Sequence, residues 1–315
     1  MRIVLGNPQS GRRGFGGFGR GPGQPRSRGS LLMRLVLGGG IALFALISFY
    51  CTTTTNPVTE REERVAGIPL EQEVAMGLAA APEMVQQMGG AVPGDSPKQQ
   101  LLQEVGSRLM NAPYREGKSL AQILQEREVP WQFTFTLIDD EQTVNAFALP
   151  GGPVFMTEAL FDRLENEAQV AGVLGHEIGH VIERHGLERI AKSTLQQQLV
   201  GAVAVAADDG SGRGYNAAML AQTFGNLFQL GYSREDELES DQIGLRSMVS
   251  AGYDPGEMVR VMEILRDASG GRGGGPEFMQ THPHPESRIE AIRGFVAEHF
   301  PQGVPAELGK GQVLR

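Results

Sequence analysis

His176, Glu177 and His180 form an H-E-x-x-H pentapeptide, His176-Glu177-Ile178-Gly179-His180. On a helix the two histidines stand at i and i+4, one turn apart on one face. That spacing lets two imidazoles grip one metal ion while Glu177 reaches a water beside it. Neutral imidazole binds Zn2+ at about 2.0–2.1 Å, and catalytic zinc sites combine three protein ligands with a water. Zinc lowers the pKa of that water from about 15.7 toward about 7. Glu177 would then accept the proton as water attacks a carbonyl, and pass it to the leaving amine. The chemistry expected is peptide-bond hydrolysis, with one Zn2+ per chain and Glu177 as general base. Two surface histidines are the plainer alternative, and the apolar, glycine-rich surroundings argue against them.

The third ligand has to come from elsewhere. A metzincin places a glycine three residues, and a histidine six residues, after its second ligand histidine. Those places hold Glu183 and Gly186 here, so that pattern fails. His185 is five residues past His180, off the ligand face, and reads as a helix C-terminal histidine favoured by the dipole. Downstream, Glu237 and Asp241 share one helical face. Glu237 would complete a His-His-Glu set, and Asp241 would accept the second N–H of a ligand histidine. Glu235 and Glu239 are other candidates, though neither has an aspartate four residues on. A solvated acidic helix is the plain alternative for the whole stretch.

Several elements must position these groups. Asn166, with Gln169 three residues on, resembles a capping box opening a helix that runs to about His185 and stops at Gly186. Gly172, Gly175 and Gly179 each cost about 1 kcal/mol relative to alanine inside a helix, so something is expected to pack closely there. Thr157 is expected to cap a short helix over 158–164. Trp131, Phe133, Phe135 and Leu137 alternate with polar residues as a half-buried strand does. Val144–Leu149 and Pro153–Met156 read as short strands joined by Pro150-Gly151-Gly152. An edge strand holds an extended peptide by strand addition, which makes Asn145, Ala146 and Phe147 candidate substrate-binding residues. An ordinary meander is the alternative. Helices are expected over 59–90 (with Glu60–Arg64 as its first part), 97–111, 118–127, 187–207, 215–230, Tyr232–Asp241, Gly256–Asp267 and a last amphipathic stretch with Ile289, Ile292, Phe295 and Val296 inward. Residues 208–214 and 270–275 read as loops, the former a possible lid or a solvated connector. The fold class is α+β, mostly α-helical with a small β-sheet.

Composition sets the remaining bounds. At 40% hydrophobic and 21% charged residues, the chain can bury a core. Residues 1–50 carry seven arginines and no acid, leaving 21 basic against 37 acidic residues beyond them. A body that acidic is a poor nucleic-acid binder, so no nucleic-acid partner is expected. Cys51, the lone cysteine, excludes an intrachain disulfide or a cysteine-rich zinc site. Residues 1–30 read as a disordered Gly/Arg-rich cytoplasmic tail. Residues 31–51 read as a single transmembrane anchor or signal segment, with the body outside by the positive-inside rule. Tyr50 stands where a lipoprotein needs a small residue before its cysteine, so processing at Cys51 is the second choice. Residues 52–303 form the expected zinc metallopeptidase domain and 304–315 a C-terminal tail. No repeat of 30–45 residues recurs within the chain.

Taken together, Asn56-Pro-Val-Thr59, Asn145-Ala-Phe-Ala-Leu-Pro-Gly-Gly152, His176–His180, Tyr232-Ser-Arg-Glu-Asp-Glu237 with Asp241, Thr281-His-Pro283 and Glu286-Ser-Arg-Ile289 stand in one order over residues 56–300. This set resembles the HtpX-like and CAAX-prenyl-protease-like family of gluzincin (zincin-like) metallopeptidases, especially its bacterial extracytoplasmic quality-control branch. The resemblance implies zinc held by His176, His180 and Glu237, with Glu177 as base. It implies that His282 approaches the metal and keeps the site latent; His284 is its neighbour and competitor. Arg234 and Arg288 match arginines of these motifs, as structural residues or contacts to the acidic site. The expected function is a zinc endopeptidase anchored in a bacterial inner membrane, acting in the periplasm on misfolded or misassembled envelope proteins. A chaperone or assembly factor with latent proteolysis is the first alternative. A structural zinc domain is the second, and the presence of Glu177 argues against it.

Overall fold

The computed structural model describes residues 28–207, 231–268, 277–283 and 285–314. The expected tail up to residue 27, the 208–214 loop, the 215–230 helix, the 270–275 loop and His284 lie outside the described residues.

Helix α1 (Arg28–Cys51) contains a stretch, Leu32–Cys51, long and apolar enough to cross a membrane. Strands β1 (Thr54–Thr55) and β2 (Glu62–Glu63) follow as an antiparallel pair. The helix expected over Glu60–Arg64 does not form. Asn56 Oδ1 accepts from the amides of Val58 and Thr59, and Glu60 takes φ +65°, so the chain turns back before a helix can start. Helices α2 (Leu70–Gln87) and α3 (Pro97–Asn111) come next, then the small hairpin of β3 (Pro113–Arg115) and β4 (Lys118–Ser119). Helix α4 (Leu120–Glu126) opens on a complete Ser119–Gln122 capping box.

Strands β5 (Thr134–Ile138), β6 (Ala146–Ala148) and β7 (Pro153–Thr157) form one sheet in the order β5-β7-β6. Strand β7 is buried throughout, parallel to β5 and antiparallel to β6. Trp131, Phe135 and Leu137 are buried as the alternation requires. Regular pairing begins only at Thr134, because the Gln132 amide is taken by the Gly151 carbonyl at 2.7 Å. The outer edge of β5 is partly covered. Gln99 donates to the Phe135 carbonyl at 2.9 Å and accepts from the Leu137 amide at 2.7 Å.

After α5 (Glu158–Phe161), helix α6 (Glu167–Ile182) runs through the middle of the domain, buried from Ala168 to its end. Its cap is a variant of the expected one. Asn166 Oδ1 accepts from the Gln169 amide, but Gln169 Oε1 reaches the Glu165 amide instead of Asn166. The expected stop at Gly186 is also displaced. Arg184 adopts φ +54°, α6 ends at Ile182, and α7 (His185–Ala207) starts in a new direction at His185.

Helix α8 (Arg234–Ser250) lies against α6 where the glycines are. A Cβ on Gly179 would come within 2.8 Å of Ser240 Cα, and one on Gly175 within 3.0 Å of Gly244 Cα. The helical cost of these glycines is offset by a backbone approach no larger residue permits. Helices α9 (Glu257–Ala268), α10 (Glu277–Thr281) and α11 (Pro285–His299) close the far side, with Ile289 and Ile292 buried and Phe295 and Val296 half-buried. Residues 304–315, set apart as a tail by the sequence, fold back in part. The Gln312 and Lys310 carbonyls accept the Glu167 and Ala168 amides at 3.0 Å, satisfying two orphan donors at the start of α6.

Candidate metal centre

His176 and His180 project from the buried third and fourth turns of α6, and Glu237 from the first turn of α8. His282 follows α10 on a short connection, its amide bonded to the Phe278 carbonyl at 2.7 Å. All four side chains are buried, and one ligand atom from each lies within 4.8 Å of every other. His176 Nε2 is 3.0 Å from His180 Nε2 and 3.1 Å from His282 Nδ1. Glu237 Oε1 is 3.0 Å from His282 Nδ1 and 3.5 Å from His180 Nε2, and its Oε2 is 3.6 Å from His176 Nε2. Tetrahedral zinc with bonds of about 2.0–2.1 Å separates its ligand atoms by about 3.3 Å. The separations in this cluster bracket that value.

The outer nitrogens of both α6 histidines are already committed. Ionised Asp241 only accepts, so its 2.8 Å contact puts the His176 proton on Nδ1 and leaves Nε2 as a lone pair. On His180, Nδ1 faces His185 Nδ1 at 3.0 Å, while His185 Nε2 donates to Glu239 Oε2 at 3.2 Å. With the proton of His185 on Nε2, its Nδ1 is the acceptor for the proton of His180 Nδ1. Two Nε2 lone pairs therefore face each other at 3.0 Å beside a carboxylate, an arrangement that a cation between them stabilises. Burial holds His180 well below the usual imidazole range, in the neutral form that binds metal.

The acids divide into two kinds. Burial alone pushes Glu237 up, but His282, Arg288 and the hydrogen bonds from His180 and His282 hold it well below the usual carboxylate range. Asp241 is likewise held down by Arg288 and His176 against burial. Arg288 is fully buried and serves both carboxylates. It donates to Asp241 from Nε (2.7 Å) and Nη2 (2.6 Å), and its Nη1 sits 2.6 Å from Glu237 Oε2, an ion-pair contact off the hydrogen-bond axis. Glu177 differs. It is fully buried, neither of its oxygens has a hydrogen-bond partner, and burial raises its pKa, opposed by His282 and His176. Its nearest ion-pair contact is His282 Nε2, 3.5 Å from Oε1.

Of the other sequence candidates, Glu239 faces His185 rather than the ligand set, and Glu235 and Arg234 are exposed on the first turn of α8. Asn145, Ala146 and Phe147 lie on or beside edge strand β6. Thr157 donates its amide to the Asn145 carbonyl, and Leu149 donates to the Pro153 carbonyl. By antiparallel alternation, the backbones of Asn145 and Phe147 face β7, and those of Ala146 and Ala148 face the open edge. Ala148 and His180 line the same small recess, with Tyr232.

Two contributors were missed or misread in the sequence. His185 is not a helix-end histidine pointing at a dipole. It heads α7, is buried, and fixes the ring of His180. Tyr232 stacks on His180 with ring centroids 3.8 Å apart, under the guanidinium of Arg189. Burial pushes its hydroxyl up to about 12, so it stays protonated. The signal for His185 was its proximity to the pentapeptide, but only the break at Arg184 turns it inward.

An H-E-x-x-H helix meeting a glutamate from a later helix, with an aspartate one turn on, defines the gluzincin class of metallopeptidase sites. Comparison with known proteins narrows this further. The chain matches peptidase family M48 over residues 106–296, and it belongs to that family. It is 30% identical to the "Beta-barrel assembly-enhancing protease" of Escherichia coli over 234 residues, covering 72% of this chain and 44% of that protein. It is 29% identical to the "Mitochondrial metalloendopeptidase OMA1" of Schizosaccharomyces pombe over 265 residues, covering 84% of this chain and 71% of that one. The chain thus spans less than half the length of its enterobacterial relative.

Proposed function

We propose that this chain is a membrane-anchored zinc endopeptidase that hydrolyses misfolded or misassembled proteins of the bacterial cell envelope. The observation that carries it is the pairing of a four-donor cluster with an adjacent buried carboxylate, Glu177, that accepts no hydrogen bond. A structural zinc site needs no such base. His176, His180 and Glu237 hold the ion, and zinc there supplies Lewis acidity toward water and a peptide carbonyl. Every other role belongs to the protein. Asp241 and His185 keep the two ligand imidazoles in the tautomer that presents Nε2. Arg288 steadies Glu237 and Asp241. Glu177, with a raised proton affinity, accepts the water's proton and delivers it to the leaving nitrogen. The open edge of β6 offers Ala146 and Ala148 to an extended substrate beside the metal.

His282 supports latency. A catalytic zinc keeps one position for water, and His282 Nδ1, 3.1 Å from His176 Nε2 and 3.0 Å from Glu237 Oε1, would be a fourth donor to such an ion. Cleavage then requires His282 to withdraw. The same feature favours the second reading, a chaperone or assembly factor in which proteolysis stays latent.

Helix α1, with its arginine-rich leading side, supports an inner-membrane anchor with residues 52–303 as the periplasmic catalytic domain. Lipoprotein processing is the alternative there, since Cys51 is free and exposed at the end of α1. The relatives' names, a beta-barrel assembly-enhancing protease and a mitochondrial metalloendopeptidase, support proteolysis. The test is to incubate the full chain with zinc and unfolded casein, beside Glu177→Gln. Cleavage by the native chain and not by Glu177→Gln is expected. Cleavage by both, or by neither even in a His282→Ala background, overturns the proposal.

A further inference from the structure

Helix α7 changes character along its length. Its first part carries Glu188, Arg189 and Lys192, and Leu187 and Ala191 are buried in the domain. From Ser193 to Ala207 it carries no charge, and from Leu199 it reads Leu-Val-Gly-Ala-Val-Ala-Val-Ala-Ala. That second part packs on α1. A Cβ on Gly38 would meet the Ala202 carbonyl at 2.6 Å and the Ala206 Cβ at 2.9 Å, a backbone approach of the kind small residues allow between membrane helices. Gly38, Ala45 and Phe49 form the buried stripe of α1, while Leu37, Leu43, Phe44 and Ile47 are exposed.

The two helices run in opposite senses. Just beyond the end of α1, Asn56 Nδ2 donates to the Ile182 carbonyl, immediately ahead of α7. At the other end, Gly38 meets Ala202 and Ala206. At 1.5 Å per residue, Gly38 to Cys51 spans about 20 Å and Ala206 back to His185 about 32 Å. Lys192, the last charge on α7, therefore falls about level with Cys51, where the candidate span ends. Val200 and Val203, 50% and 67% exposed, point away from α1 beyond that level.

We infer that the distal half of α7, Leu195–Ala207, lies in the bilayer beside α1, with Val200 and Val203 against lipid acyl chains. This rests on the reading of α1 as a membrane anchor. The run is uncharged from the level where the span ends; Gln196 and Gln198 are exposed in its first two turns past that level, and from Leu199 it continues the apolar surface of α1. The segment reaches about two thirds of a hydrocarbon core of about 30 Å. It also sets the height of the metal centre. His185, in contact with His180, stands about 12 Å outside the membrane plane by the same helix geometry.

The test uses the full chain with Cys51→Ser, reconstituted in phosphatidylethanolamine–phosphatidylglycerol vesicles. Nitroxide labels are placed singly at Val203→Cys, Phe44→Cys and Val313→Cys, and their relaxation by oxygen and by a water-soluble nickel chelate is read. The expected result is loss of nickel relaxation and gain of oxygen relaxation at Val203 and Phe44, with the reverse at Val313. Nickel access at Val203 with oxygen access at Phe44 overturns the inference and leaves the anchor standing. Nickel access at Phe44 overturns both. Spin–spin broadening at Val203 without oxygen access means a second copy covers α7, and also overturns it.

Discussion

Arg288 holds Asp241 through two hydrogen bonds, Nε to Oδ2 at 2.7 Å and Nη2 to Oδ1 at 2.6 Å, with both side chains buried. Asp241 in turn holds His176, so a residue of the last helix sets the orientation of a candidate metal ligand on α6. Removing one partner of such a buried network leaves the others charged and unpaired, which costs about 3–5 kcal/mol. Arg288→Ala is expected to lower the free energy of unfolding by that order, read from a denaturant titration, and to abolish zinc retention. Arg288→Lys does not restore either, because an ammonium cannot bridge two carboxylates as a guanidinium fork does. Full zinc binding in Arg288→Lys would count against this account.

His185 acts on His180 in the same way. His185→Phe keeps the ring volume and removes the acceptor for His180 Nδ1. Loss of such an outer partner typically costs about 10–100-fold in metal affinity. A competitive chelator titration should show that drop with the far-ultraviolet dichroism unchanged. Unaltered affinity would reduce His185 to a packing residue.

Gly179 is where α6 and α8 approach most closely among their glycine contacts. Gly179→Val forces the helices apart and moves Glu237 from the histidines. Overpacking of this kind costs about 1–3 kcal/mol. Thermal denaturation should show the loss, and zinc binding should weaken with it. A Gly179→Val protein as stable and as zinc-loaded as the native one would show that the contact does not govern the site.

Stability should depend on pH through Glu63. Burial pushes its carboxyl up to about 7, against the pull of Asn56, Arg184 and Arg61, while the ordinary value is 4.5. Between those values the folded chain holds a proton that the unfolded chain has released. Stability therefore falls as pH rises through that window and levels off above it. Glu73 and Glu183 shift the same way, also through burial. Denaturant midpoints measured from about pH 5 to about pH 8 should decline, and Glu63→Gln should shallow the decline. An unchanged slope in Glu63→Gln would remove Glu63 as its source.

The parts of the site written in short-range spacing were legible in the sequence. His176, Glu177 and His180 need only helical periodicity, and Glu237 with Asp241 needs only one more turn of another helix. Gly175 and Gly179 announced a close neighbour without naming α8, whereas a Cβ on Gly172 would meet only ordinary contact, Met248 Sδ at 3.5 Å. What stayed hidden depends on where helices break and meet. Arg184 in a left-handed conformation ends α6 and swings His185 inward, which no periodicity predicts. Asn56 turns the chain and replaces an expected helix with a β-pair. Only the family resemblance marks Arg288 as a contact to the acidic site; its reach to two carboxylates some fifty residues upstream is created by packing.

A zinc centre built by His176, His180 and Glu237 requires all three donors and leaves Glu177 as a base that is not a ligand. Its most direct measurement is the zinc content of the purified full chain by atomic emission, beside Glu237→Ala and Glu177→Gln. One zinc per chain is expected in the native protein and in Glu177→Gln, with loss in Glu237→Ala. No zinc in the native chain, or equal zinc in all three, would contradict it.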